Sequence, residues 1–178
     1  MKEFADWLQA SSVSVTIQSV KWIIPLLQSI HILMIGIVFV SSLMIALRVL
    51  GRMRVDEPFE AVWRRFAPWM WTGLLVMAVT GAILVVGEPI REFTTISFWL
   101  KMMLVAIGVT STALFGRSIR QVAAASPPAA AVPAARVEFS PGAKTGAVVL
   151  VVIWLAIIFL GRAIAYDDEV WGKLSHHS

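Results

Sequence analysis

The stretch WIIPLLQSIHILMIGIVFVSSLMIAL, residues 22–47, runs for 26 residues between Lys21 and Arg48 without a Lys, Arg, Asp or Glu. A bilayer core is crossed by roughly 20 apolar residues, so this stretch reads as a membrane-spanning helix. His31 stands inside it, and an ionisable group at membrane depth is costly enough to mark a functional position. Three further apolar runs follow, at about 66–87, 98–116 and 145–166. The chain therefore reads as all-α, a four-transmembrane-helix bundle forming a single integral membrane domain.

Composition agrees. A chain of 178 residues that is 58% hydrophobic, with mean hydropathy +0.81, has too little polar surface for a soluble domain. The absence of cysteine excludes disulfides, thiolate metal sites, iron–sulfur clusters and covalently attached haem. The net charge of +4 does not indicate nucleic acid, because the basic residues cluster at span ends, where they set topology.

Residues 1–20 mix Lys2, Glu3 and Asp6 with Phe4, Trp7 and Leu8, the pattern of an amphipathic interfacial helix rather than a secretory signal. Pro25 is tolerated near the start of the first span, where an N–H has no helical partner. Trp63, Trp69 and Trp71 resemble an aromatic belt at the start of the second. Residues 122–144 contain an Ala/Pro-rich linker. The loops after spans 1 and 3, with the adjoining span ends, carry nine basic residues: Arg48, Arg52, Arg54, Arg64, Arg65, Arg117, Arg120, Arg136 and Lys144. The opposite side carries six. The positive-inside rule then places both termini outside, in the periplasm if the membrane is a bacterial inner membrane.

On a helical wheel Ile24, Gln28, His31, Ile35, Val38, Ser42 and Ile45 form one stripe of span 1. Polar groups in hydrocarbon need partners, so this stripe should face protein. Two readings stay open. Gln28, His31 and Ser42 serve as interhelical hydrogen-bonding groups, or His31 is an axial ligand or proton-handling residue.

Depth connects three residues. His31 lies about 15 Å along the helix from Lys21, at 1.5 Å per residue. Lys101 and Arg162 sit near the outer ends of spans 3 and 4, so all three fall in the outer half of the membrane. A haem b or a quinone would use such an arrangement, with His31 as ligand or hydrogen-bond donor and cations beside the anionic groups. Each cation alone equally suits interfacial snorkelling. A second haem ligand is missing: His176 and His177 lie in a polar tail. Met34, Met70, Met77, Met102 and Met103 are available thioethers, though methionine in apolar helices mostly packs. A five-coordinate haem or a ligand from another subunit also meets the geometry. One histidine with scattered methionines does not make a copper site.

Gly73 and Gly81 with Thr72 and Thr80, and Gly108 with Ser111 and Thr112, give spans 2 and 3 small-residue faces suited to close helix packing. Together with eight tryptophans and the polar stripe of span 1, these faces exceed what one four-helix bundle must bury and predict a homo-oligomer or a larger membrane complex. No phosphate-binding loop, nucleophile elbow or zinc-protease motif is present.

The segments HILMIGIVFVSSLMIALRVLG (31–51), PWMWTGLLVMAVTGAIL (68–84), FWLKMMLVAIG (98–108) and GRAIAY (161–166) together resemble an uncharacterised family of small bacterial four-helix membrane proteins. That family is a domain of unknown function, loosely similar to the copper-resistance-D-like membrane domain. The resemblance covers about residues 22–166 and matches at His31, Lys101, Gly161 and Arg162. It implies a second histidine at the end of span 3, where this chain has Phe115-Gly116-Arg117. The expected function is a small inner-membrane subunit of a redox assembly, with haem b or quinone held by His31, Gln28, Lys101 and Arg162. The alternative is a non-catalytic anchor or assembly subunit that packs against another membrane protein. A solute transporter is disfavoured, because paired intramembrane acids and broken half-helices are absent.

Overall fold

The structure, a computed structural model, describes residues 2–125, 139–166 and Trp171. Two short helices, α1 (Lys2–Gln9) and α2 (Ser12–Ser19), precede the long α3 (Ile23–Val49) and α4 (Phe59–Gly87). A turn helix, α5 (Pro89–Thr94), leads into α6 (Ile96–Ala125), and α7 (Pro141–Ala163) ends in a 3₁₀ turn, Ile164–Tyr166. There is no strand among the described residues. Four helices, α3, α4, α6 and α7, are long and apolar enough to span a membrane.

The element boundaries differ from the sequence reading in physically simple ways. The amphipathic segment forms two helices, because the Ser11 hydroxyl accepts from the Ser14 N–H at 3.2 Å and starts a new helix there. α4 begins at Phe59, since the apolar run marks only the part of a helix inside lipid. α6 continues to Ala125 for the same reason, so residues 122–125 of the expected linker are helical; residues 126–138 lie outside the described residues.

α3 is the central helix, packed most extensively on α4 and also on α7, which in turn holds α6. The predicted stripe of α3 faces protein: Val38 and Ile45 are buried, while Ile32, Leu33 and Val40 on other faces are exposed, as a lipid-facing surface requires. Gly73 permits the close approach of α4, since a Cβ there would come within 2.8 Å of the Val38 side chain. Val38, Met70, Trp154 and Ile157 form the mid-bundle core. A second core, with Ile45, Val49, Phe59, Ile119 and Phe139, fills the basic end.

The other end is closed by α1, α2 and α5. Phe4 meets Phe93 edge-on at 5.6 Å, and Gln18 donates to the Gly87 carbonyl at 2.8 Å. Trp171 donates from its indole nitrogen to the Ser97 hydroxyl at 2.9 Å. α1, α2 and Trp171 thus pack around the 88–97 turn.

Candidate functional site near the 88–97 turn

Thr80 lies on α4 seven residues from Gly87, and His31 lies on the antiparallel α3 at matching depth. The His31 Nδ1 and Thr80 Oγ1 atoms are 2.8 Å apart. Thr80 Oγ1 is also 2.8 Å from the Val76 carbonyl one turn earlier. A hydroxyl has one proton, and three acceptors lie within its reach: the Val76 carbonyl, the Met77 carbonyl at 3.3 Å and His31 Nδ1. When that proton takes the usual threonine back-bond to Val76, His31 Nδ1 is the donor to Thr80. Its Nε2 then carries a lone pair and makes no hydrogen bond among the described residues.

Gly81 completes the cradle. A Cβ at this position would stand 3.3 Å from His31 Cε1, so the missing side chain is the space in which the imidazole rests. Thr80 is buried and His31 is half-buried, which leaves one part of the ring accessible.

Lys101 enters from α6. Its charge is close enough to act on both His31 and Glu92, and its ammonium lies 5.3 Å from the Phe98 ring centroid. Its stem passes 4.0 Å from the position a Gly161 Cβ would take, so α7 approaches here as well. Glu92 of α5 is 8% exposed and 3.9 Å from Arg91. Burial pushes the Glu92 carboxyl above the usual carboxylate range; Lys101 and Arg91 oppose the rise, and Glu88 adds to it.

Lys101 is near enough for its charge to act on His31, while the other expected residues are placed differently. The Arg162 side chain is exposed and stacks on Tyr166, 6.0 Å from the ring centroid. Gln28, one turn from His31, is half-buried, and its amide makes no hydrogen bond among the described residues. Ser42 is occupied elsewhere, donating to the Met70 sulfur at 3.3 Å. Met102 and Met103 are exposed and Met70 is fully buried in the mid-bundle core. His176 and His177 lie outside the described residues.

Sequence reasoning missed Thr80 as the imidazole's partner, treating it as a small packing residue. A signal existed: threonine in a membrane helix bonds back to the preceding turn, leaving an acceptor oxygen at a depth countable from the helix ends. Glu92 was missed because it reads as an ordinary loop acid. Among the described residues no group of three or more His, Asp or Glu forms a metal cluster. The chain matches no protein family, no curated protein and no solved structure.

Proposed function

We propose that this chain is a small subunit of a membrane redox assembly, holding a haem b or a quinone at His31 in the outer half of the bundle. The observation that carries this reading is the 2.8 Å contact that engages His31 Nδ1 with Thr80 and leaves Nε2 without a hydrogen bond among the described residues. Metal-binding imidazoles are typically oriented by such a hydrogen bond on the other nitrogen. The same Nε2 suits the hydroxyl of a quinol; with Nδ1 protonated it accepts rather than donates. When bound, either group would supply one-electron chemistry within the membrane.

The chain's own residues divide the work. Thr80 and Gly81 orient the imidazole, Lys101 supplies a positive charge beside it for a propionate or quinone oxygen, and Arg162 serves anionic groups at the outer surface. Met70, Met102 and Met103 are poorly placed as second ligands, which leaves Met34, Met77, a five-coordinate haem or a ligand from another subunit. In this reading the protein lies in a bacterial inner membrane with both termini periplasmic, and it associates with a second copy or a larger complex.

A visible spectrum of the protein, purified after expression with haem precursor and its neighbouring subunits, tests the haem form. A Soret band in the wild type that is lost in a still-folded His31→Ala variant supports it. A colourless wild type refutes it. Without colour, loss of quinone-dependent electron transfer in His31→Ala supports the quinone form. Gln28 favours one other reading, a non-catalytic anchor, because an amide at membrane depth needs a partner and a neighbouring membrane protein would supply it. That reading requires Gln28→Leu to release the partner while no cofactor is found.

A further inference from the structure

Helices α4 and α6 are consecutive spans, yet each packs mainly elsewhere, α4 on α3 and α6 on α7. They meet at the basic end, where the six-membered ring of Trp63 fills the space left by the absent side chain of Gly116. Outside this contact a groove of about 610 Å³ lies along the two helices. Its polar wall is Glu60, Arg64 and Arg120; its apolar wall includes Trp63, Pro68 and Trp71.

The charge of the groove is not balanced. Arg120 is held by Glu60 at 3.3 Å and lies over the Trp63 ring at 6.0 Å. Arg64 is exposed and makes no ion pair among the described residues, so two cations face one carboxylate. Depth is defined as well. Arg64 stands two residues before Phe66, where the uncharged run of α4 begins. Arg120 is the last charged residue of α6 among the described residues. The cations are therefore at headgroup level, with the aromatic and proline surface beneath them at the level of acyl chains.

We propose that this groove binds an anionic phospholipid. The phosphate lies between Arg64 and Arg120, and the acyl chains lie against Pro68 and Trp71. A zwitterionic lipid brings its own ammonium group and leaves the surplus positive charge unanswered; an anionic lipid neutralises it.

The test uses the full chain in detergent, supplied with equimolar phosphatidylglycerol and phosphatidylcholine, with native mass spectrometry reading which lipid is retained. Phosphatidylglycerol is expected to dominate. Arg64→Gln and Arg120→Gln are each expected to lower that preference about fivefold, whereas Arg64→Lys preserves most of it, because a point charge suffices for a phosphate. Glu60→Gln removes the competing carboxylate and is expected to raise retention, a gain that misfolding cannot imitate. Arg117→Gln, at the same end but outside the groove, leaves the preference unchanged. Equal retention of both lipids by the wild type overturns the proposal. So does an Arg117→Gln effect as large as that of Arg64→Gln, which indicates surface charge alone. Displacement of the lipid by inorganic phosphate assigns the groove to a soluble anion. A change in oligomer mass without a change in lipid preference assigns it to a second copy.

Discussion

At the scale of single residues, the single hydroxyl proton of Thr80 decides the chemistry of His31. Thr80→Val keeps the volume but removes the acceptor for Nδ1–H, and the imidazole is then free to rotate or change tautomer. Loss of such an orienting partner typically weakens ligand binding by about 10–100-fold. A titration of haem, or of a quinone analogue, against wild type and Thr80→Val measures this; equal affinities would show that Thr80 does not orient the ring. Glu92 makes a separate prediction. Its carboxyl is raised by burial, so the folded protein binds that proton more tightly than the unfolded chain does. Its contribution to stability is greatest below the ordinary carboxylate range. It falls as pH rises through the elevated folded value, then levels off. Melting curves between about pH 4 and 8 should show a decline in the wild type that Glu92→Gln removes. Parallel curves for the two proteins would contradict it.

Between helices, small side chains and buried polar groups set the contacts. Gly81→Leu places a branched side chain where the imidazole lies, so it is expected to detach His31 from Thr80 and, under the proposed function, to abolish cofactor retention. Gly81→Ala, with a Cβ 3.3 Å from the ring, asks for a shift of only a few tenths of an ångström and should be milder. Similar retention in Gly81→Leu and wild type would show that the cradle is not needed. Thr112 is buried on α6 with a hydroxyl that has no partner among the described residues. An unpaired buried polar group costs about 1–3 kcal/mol, so the near-isosteric Thr112→Val should raise the melting temperature in detergent. A lower melting temperature would mean that the hydroxyl is in fact paired. Arg48 shows how tertiary structure reassigns a residue. Counted in sequence as a topology-setting cation, it is 4% exposed. Its Nε and Nη2 donate to the Glu57 carbonyl at 3.0 and 2.8 Å, and it lies 6.0 Å from the Phe139 ring centroid. It therefore joins the loop after α3 to the segment before α7.

For the whole molecule, the testable property is orientation. The chain has no native cysteine, so cysteines at positions 58 and 90 report without interference. In intact cells an impermeant thiol reagent is expected to label position 90 and spare position 58; the opposite pattern inverts the topology. The four spans and the inward-facing stripe of α3 were legible in the sequence. Transfer of apolar residues into lipid depends on composition and length alone, and a helical face depends on a local period. The sequence also placed His31 within a span and Lys101 nearer the same end of the bundle, because rise per residue converts position into distance along a helix. It could not determine which side chain faces which across a helix pair, since that depends on each helix's rotation and neighbours. Only the tertiary structure decided that Thr80 receives His31, that Arg162 turns outward to Tyr166 and that Trp63, expected in an aromatic belt, fills the gap beside Gly116. The physical reason is that spanning follows from residue-by-residue transfer into lipid, whereas a site requires side chains from several helices to converge within hydrogen-bonding distance.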